Sequence, residues 1–493
     1  MNTQRHKIIT DSAKMFFANV VTAVTGIVRG IVIAGVLGPN NYGIWSIFNV
    51  IMSYVPYTHF GLLDGMTKQI PLLKGKGSFE HVKVMRDTAW SALMVITLVI
   101  TVVMLSGSFI FQNRFSNEVV VGFRILACLI FFFQIFIFLT SYIRLDDHFS
   151  LLSISMGGQT VISLVLMLIL FNTLSNKLYA ALLALIVTYL IINAGILLTT
   201  KYDLKLKFDL SAIRSMVFSG LPIVIICIGN VLILSIDRWV VAGSLGRQEL
   251  GFYGFAFTIS NFLSLLPTSI SFTLYTKMLH RYGQTNDPRS SEKFVYLPSL
   301  VVSYFMSLAC VATAVVMPVF IRFALPAYAK GIDTVVVLLM AGYFISTVSL
   351  FGNFLISVDK VRQVFIAQVV AILLNLAINI TVVRLGYGIK GVAFGTGFSY
   401  LIYATLVIFF TQLNFHSKFK DIFLKIVELY LPFIIMLAVF LIFKSVYGEN
   451  DNILIVGLQV LIISGFAILF MVFLNKKINF SELLKGVFAK NSD

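Results

Sequence analysis

The chain has 493 residues, of which 59% are hydrophobic and only 12% are charged, and its mean hydropathy is +0.95. An ordinary soluble domain is about 25% charged, so the composition excludes that class and predicts that most of the surface faces lipid. The formal net charge is +16. Because the basic residues are scattered through short loops and form no stripe or known module, nucleic acid is excluded as a partner.

Long apolar runs fill most of the chain and predict an all-α polytopic membrane protein. A helix needs about 20 apolar residues to cross the ~30 Å of hydrocarbon in a bilayer, and the alternating segments of about 10 residues that are typical of porin strands are not found. We predict fourteen transmembrane helices at 15–37, 43–67, 88–110, 120–143, 150–171, 179–200, 215–242, 251–276, 294–320, 333–357, 364–383, 391–412, 427–447 and 453–474.

The distribution of Lys and Arg predicts the topology. Most of them lie in the loops and tails on the side of the N-terminus, and few lie in the loops on the opposite side. Such an asymmetry over short loops predicts that both termini lie in the cytoplasm. The expected location is the inner or plasma membrane of the cell. The first apolar run, 15–37, is too long for a cleavable signal peptide and is expected to be a retained helix.

An internal repeat divides the chain. Residues 33–38 (IAGVLG) recur as residues 241–246 (VAGSLG) at a shift of 208, Asp147 is matched by Asp359, and a proline in the second helix of each unit recurs as Pro56 and Pro267. Repeats of this length predict a fold built twice.

The repeat predicts two six-helix lobes, residues 1–205 and 206–412, followed by two additional helices and a tail in residues 413–493. Six is an even number, so both lobes point the same way and are related by a pseudo-two-fold axis along the membrane normal. Transporters built from such parallel repeats place their substrate between the halves.

Few charged residues lie inside the predicted helices, and Arg29 is the deepest. It lies nine residues before Gly38, which corresponds to roughly 13 Å along a helix. A charge in hydrocarbon costs about 2.5–3.5 kcal/mol on insertion scales. Arg29 is therefore expected either to face a water-filled cavity or to reach the interface by snorkelling.

The repeat aligns Arg29 with Asp237 and Gly30 with Arg238. We hypothesise that Arg29 and Asp237 pair when the outer side is closed and separate when it opens, which frees the arginine for an anionic head group. The alternative is that Asp237 pairs with a neighbour such as Arg238 or stays buried and protonated.

Three further basic residues are candidates for substrate binding. Arg124 lies near the outer end of its helix, where it is either interfacial or a ligand-binding group. Lys277 and Arg281 lie at the opposite end of the eighth predicted helix. They either receive a diphosphate from the inner leaflet or act as plain positive-inside anchors.

Sites for catalysis, metals and cofactors are not indicated. The six histidines are scattered, so neither a zinc site nor a catalytic dyad is predicted. The sequence has no GxxxxGK[ST] loop for ATP. The expectation is a carrier that is not an enzyme and uses no cofactor.

Two stretches carry a family resemblance. Residues 29–76, with GPNNYG at 38–43 and GLLDG at 61–65 ahead of a basic loop, resemble the polysaccharide-synthesis transporters, the flippases of O-antigen and related polymers. Residues 235–253, which hold SIDR at 235–238 and LGFY at 250–253, are similar to the matching stretch of the second half.

The resemblance implies the multidrug, oligosaccharidyl-lipid and polysaccharide exporter superfamily and an undecaprenyl-diphosphate-linked oligosaccharide as cargo in lipopolysaccharide-type biosynthesis. Membrane lipids, a polysaccharide polymerase and a chain-length regulator are the implied partners. The lipid II flippases of the superfamily carry further arginines in the first helix, whereas this chain keeps the glycine and Arg29. A lipid II flippase, a cation-coupled multidrug antiporter and a membrane enzyme of polysaccharide assembly are the alternatives.

Overall fold

The computed structural model describes residues 2–415 and 418–447 and single residues between 457 and 465. These residues form long helices joined by short turns, together with 3-10 turns at Val55–Tyr57, Pro288–Ser291 and Pro326–Gly331. Helices α1 to α15 occupy Asn2–Tyr54, Leu62–Gly75, Phe79–Ile110, Asn117–Leu145, Phe149–Thr173, Lys177–Thr200, Leu210–Ile233, Ile236–Ser244, Arg247–Leu263, Leu265–Thr285, Glu292–Ala324, Ile332–Ser357, Val361–Arg384, Gly388–Asn414 and Phe419–Tyr447.

The all-α polytopic membrane class is confirmed. In the described part of the chain, 11 segments are long and apolar enough to cross a membrane. The segment Phe17–Gly75 covers the first two predicted spans. The predicted span 251–276 is divided between α9 and α10, and the predicted span 453–474 lies outside the described residues.

Several membrane helices that the hydropathy pattern predicts as continuous are broken in the structure. In α1 the helix kinks at Gly38, with φ 65° and ψ 170°, immediately before Pro39. The residue that the repeat aligns with it, Gly246, has φ 91° and ψ 179° between α8 and α9. Both backbones lie in a region that favours glycine, so the matched glycines of the two repeats make the same turn.

The second predicted helix is interrupted at residues 55–61, beside Pro56. Gln134 of α4, which is fully buried, donates from Nε2 to the Val55 carbonyl at 2.8 Å and to the Thr58 hydroxyl at 2.7 Å. The buried His59 accepts from the Gly61 amide through Nδ1 at 3.2 Å. Backbone groups in hydrocarbon need internal partners, and these two side chains supply them where the helix does not.

The matching helix of the second half is also broken, at Ser264 between α9 and α10. The Ser264 hydroxyl lies 3.0 Å from the Ser346 hydroxyl of α12. Pro267 lies in the first turn of α10, where a missing backbone N–H costs no hydrogen bond. Both prolines singled out in the sequence therefore lie at helix breaks.

The chain forms two compact units, Met1–Leu232 and Ile233–Asp493. The first contains an apolar core in which Leu62, Met66 and Phe138 are buried together with Met216 of α7. In the second, α12 packs against α9, α10, α11 and α14. Packing groups α7 with the helices before it, whereas the repeat groups it with those after it. The partition at 205/206 and 412/413 stays a prediction.

We expect Gln134→Ala to destabilise the first unit, because the Val55 carbonyl and the Thr58 hydroxyl lose their donor inside the membrane. A buried polar group without a partner costs about 1–3 kcal/mol. The midpoint of thermal unfolding in detergent measures the effect. Gln248→Ala, which truncates an exposed glutamine, is the control, and an equal loss in both variants would contradict the role of Gln134.

Candidate functional site

Arg29 points into the first unit from α1. It is half-buried, and its guanidinium donates from Nη1 to the Ser163 hydroxyl of α5 at 2.8 Å. Tyr189 of α6 lies close enough to interact with it electrostatically, and Gln159 donates to the Tyr189 hydroxyl at 3.3 Å. Among the residues that the structure describes, no carboxylate pairs with Arg29.

Asp237 lies at the first turn of α8, directly after a two-residue break that separates this helix from α7. The carboxylate is completely buried. A helix N-terminus favours a negative charge because its free N–H groups carry partial positive charge. The break thus creates the environment that lets a carboxylate lie inside an apolar bundle.

The Asp237 carboxylate accepts hydrogen bonds from three groups of its own unit. The Arg238 backbone N–H donates to Oδ1 at 2.7 Å, the Tyr253 hydroxyl of α9 donates to Oδ2 at 2.6 Å, and the Thr396 hydroxyl of α14 lies 3.4 Å from Oδ2. The Tyr253 and Thr396 hydroxyls are also 3.2 Å apart. Helices α8, α9 and α14 therefore meet at this carboxylate.

Two asparagines of α13 extend the cluster. Asn379 donates from Nδ2 to the Asn375 side-chain oxygen at 2.6 Å and lies 3.4 Å from the Thr396 hydroxyl. Both asparagines are buried, and the Asn379 Oδ1 and Asn375 Nδ2 atoms have no hydrogen-bond partner in the described part of the chain. We name Asp237, Tyr253, Asn375, Asn379 and Thr396 the Asp237 cluster.

The chemistry of the Asp237 cluster suits a small hard cation. One carboxylate is surrounded by hydroxyl and amide oxygens, and such oxygens are the ligands that alkali and alkaline-earth ions take. In the described residues no group of three or more His, Cys, Asp or Glu side chains could hold a metal ion. The cluster can hold a proton or a monovalent cation.

Arg238 is also buried, and its charge interacts with the Asp237 carboxylate. Its guanidinium donates from Nη2 to the Leu234 carbonyl at 2.6 Å and lies 3.8 Å from the centroid of the Phe257 ring. The Leu234 carbonyl would accept the Arg238 backbone N–H in a continuous helix, and that N–H is bonded to Asp237 instead. The Arg238 side chain thus satisfies the broken turn.

The other predicted site residues are Arg124, Lys277 and Arg281. Arg124 stacks on the Phe109 ring at 4.0 Å and donates to the Ser108 hydroxyl at 3.2 Å, near the end of α3. Arg281 is exposed near the end of α10, and the side chain of Lys277 lies outside the described part. The contacts of Arg124 in the first unit do not include Arg29.

Sequence reasoning missed the partners of both central charges: Ser163 for Arg29, and Tyr253, Thr396, Asn375 and Asn379 for Asp237. One signal was available, because Asn375 and Asn379 are four residues apart and so share one face of an otherwise apolar helix. The hydroxyl residues gave no such signal, since serine and threonine are common in membrane helices.

A family model described as "Polysaccharide biosynthesis protein" matches residues 8–276, which is more than half of the chain. The chain belongs to this family. The match includes Arg29 and the Asp237–Tyr253 pair, and it ends before α13 and α14. No curated protein matches the sequence significantly.

Solved structures show which fold this family member adopts. An inward-facing multidrug resistance MATE family transporter of the MOP superfamily aligns with a TM-score of 0.69 at 14% identity, over 80% of this chain and 94% of that one. The lipid II flippase MurJ in an inward closed conformation aligns with a TM-score of 0.68 at 17% identity, over 94% and 100%.

A third structure is a MOP superfamily transporter from Pyrococcus furiosus, with a TM-score of 0.56 at 15% identity over 83% of this chain and 95% of that one. At these identities the likeness establishes the fold alone. The chain has the fold of these MOP superfamily structures.

If the Asp237 cluster binds a monovalent cation, Na⁺ should stabilise the folded protein against heat, and Asp237→Asn should remove the effect. Binding to the folded state alone contributes about 2.7 kcal/mol at a hundredfold excess over Kd. Unfolding in NaCl is compared with unfolding in choline chloride. Asp333→Asn, which alters an exposed carboxylate paired with Lys390, should keep the response. A response retained in Asp237→Asn would rule out this site.

Proposed function

We propose that the chain is a flippase that moves an undecaprenyl-diphosphate-linked oligosaccharide from the cytoplasmic to the outer leaflet of the cell's inner membrane. The family supports a role in polysaccharide biosynthesis. The fold is shared with a protein described as a lipid II flippase, whose cargo is lipid-linked. O-antigen or a similar cell-surface polymer is the product we expect, with a polymerase and a chain-length regulator as partners.

This proposal depends on the hydrogen bonding of the Arg29 guanidinium. A charged side chain inside a membrane segment is costly, yet the described partner of its guanidinium is a single serine hydroxyl. The planar fork of arginine forms two parallel charge-assisted bonds with a phosphate. An arginine left without a carboxylate is therefore available to a diphosphate.

Alternating access follows from the nature of the cargo. No bond is broken during transfer, and the barrier is the desolvation of a charged, hydroxylated head group in hydrocarbon. The head group takes a polar route past Arg29 and Arg238 while the lipid tail stays in the bilayer. Lys277 and Arg281 provide the first contact with the diphosphate, and Arg124 lies near the exit.

A second candidate, a cation-coupled multidrug antiporter, is favoured by the Asp237 cluster alone. A buried carboxylate among hydroxyls and amides suits an exchange of cargo against a cation. The same cluster can equally drive a flippase, because a coupling ion does not depend on the chemistry of the cargo. The charge of Arg29 is what distinguishes the two, since a cationic drug gains nothing from it.

We expect Arg29→Gln to abolish most polymer export, because the diphosphate loses its charge-assisted bonds. Such bonds contribute about 1.5–3 kcal/mol each, which corresponds to a loss of about 10-fold or more. Arg29→Lys should be intermediate, since lysine keeps the charge and loses the fork. Surface polymer and lipid-linked units on the inner leaflet are measured in a strain lacking the native chain.

Arg384→Gln is the control, because it removes an exposed arginine at the end of α13. It should export polymer normally. Normal export by Arg29→Gln, together with altered resistance to cationic drugs in the deletion strain, would favour the antiporter.

The gate hypothesis is tested by exchanging charges. If Arg29 and Asp237 pair during the cycle, the double variant Arg29→Asp with Asp237→Arg should export more polymer than either single variant, because the exchange restores the attraction. In the structure each residue bonds within its own unit. A double variant no better than the singles, with an active Asp237→Asn, would remove the gate from the mechanism.

A further inference from the structure

The GLLDG stretch at residues 61–65 contains two glycines that pack against another helix. This packing does not involve Arg29 or the Asp237 cluster. Helix α7 crosses α2 at these glycines. A Cβ on Gly65 would lie 1.9 Å from the Met216 carbonyl oxygen, and a Cβ on Gly220 would lie 2.0 Å from the Gly61 carbonyl oxygen. The two backbones touch, so no side chain fits at either glycine. We call Gly61, Gly65, Met216 and Gly220 the glycine contact.

A polar clamp flanks the glycine contact on the side where α2 ends and α7 begins. Gln69 of α2 donates from Nε2 to the Ser219 hydroxyl at 2.7 Å and to the Ser215 carbonyl at 3.0 Å. The Ser215 hydroxyl donates back to the Gln69 Oε1 atom at 3.2 Å. Three hydrogen bonds from one glutamine thus hold the two helices together beyond the crossing.

The glycine contact is buried, whereas the polar clamp beside it is accessible to water. Gly65, Met216 and Gly220 are buried, whereas Gln69 and Ser219 are half-exposed and Ser215 is exposed. The crossing therefore excludes water, while water can replace the hydrogen bonds of the clamp. Since a hydrogen bond that water replaces contributes only about 0.5–1.5 kcal/mol net, the clamp can separate at modest cost.

The position of α7 in the chain allows this helix to change its packing partner. By the repeat, α7 is the first helix of the second half, yet it packs with the first unit, whose boundary lies at Leu232. Residues Leu234 and Ser235 then separate α7 from α8. A helix joined to the next one through a two-residue break can change its packing partner without unfolding either helix.

We propose that the α2–α7 contact is a closure of the transport passage at the membrane face where α1 begins, and that it forms and separates in each cycle. This inference rests on the proposed function, because alternating access requires one face to be sealed while the other is open. The glycines provide the seal, the clamp fixes the register of the two helices, and the break at 234–235 supplies the freedom to separate. A permanent bundle core would need no clamp that water can reach.

A disulfide across the clamp tests the proposal in membranes. In a chain whose Cys128, Cys227 and Cys310 are replaced by alanine, Gln69→Cys with Ser219→Cys should cross-link on oxidation. The cross-linked protein should stop exporting lipid-linked saccharide, and reduction should restore export. Full export by the cross-linked protein would overturn the proposal.

The matched control pair lies within one bundle. Ser271 of α10 and Asn353 of α12 are joined by a hydrogen bond of 2.7 Å in the second unit. The pair Ser271→Cys with Asn353→Cys should also cross-link and should leave export intact. If export stopped equally in both pairs, the loss would reflect general rigidity and the closure would be rejected.

A second measurement reads the closure without any cargo, so that it can succeed even if the proposed function fails. The single variant Ser219→Cys should react with a membrane-impermeant maleimide from the face where α1 begins, because the clamp opens to water. Adding Gly220→Ala should speed the reaction severalfold, since its Cβ forces the helices apart. Adding Gly195→Ala should not, because nothing lies within 4 Å of that position.

Gln69→Met is a milder variant in case Gly220→Ala does not fold. It keeps the length of the side chain and removes the clamp, and it should likewise speed labelling of Ser219→Cys. A rate unchanged by both variants would show a permanent contact and would refute the closure. Faster labelling in a chain that exports no saccharide would uphold the closure and refute only the assigned cargo.

Discussion

Every backbone amide and carbonyl in a hydrocarbon layer needs a partner within the protein, and at two of its helix breaks this chain supplies that partner from a side chain. Gln134 bonds the interrupted segment at Val55, and Arg238 bonds the Leu234 carbonyl after α7. Asp237 accepts the N–H that the same break releases. Gln134, Asp237 and Arg238 thus lie where the backbone itself requires a polar partner.

The two halves use equivalent positions differently. Arg29 and Asp237 align in the repeat, but the arginine has one hydroxyl partner, whereas the carboxylate is enclosed by Tyr253 and Thr396. A half-buried guanidinium fork suits an anion that comes and goes. An enclosed carboxylate suits a small cation or a proton. At one position of the predicted repeat stands an arginine and at its match a carboxylate, and the two side chains have partners of different kinds.

The break between α7 and α8 links the Asp237 cluster to the proposed closure. Asp237 lies two residues beyond the break, and Gly220 and Ser219 lie on the helix that precedes it. Any change in the hydrogen bonds of Asp237 acts on the first turn of α8, which is directly joined to α7. The helix that carries Asp237 and the helix that packs on α2 are therefore joined by one short segment, Leu234 and Ser235.

Sequence alone determined the class of the protein, because hydropathy over about 20 residues is a local property that a bilayer reads directly. It also predicted an internal repeat, and the glycines at 38 and 246 that it matches adopt similar backbone angles. It located Arg29 and Asp237, because an isolated charge in an apolar run is visible without a structure. It even marked the helix breaks indirectly, through Pro56 and Pro267.

Only the tertiary structure decided what those residues contact. Tyr253, Thr396 and Asn379 come from three helices and are up to 159 residues from Asp237 along the chain, and no pattern within a single helix encodes such a meeting. The packing of α7 with the first unit was hidden for the same reason, because it depends on a backbone crossing at Gly65 and Gly220. A local pattern reports which side chains are polar or small, whereas the choice of partner depends on how distant helices pack.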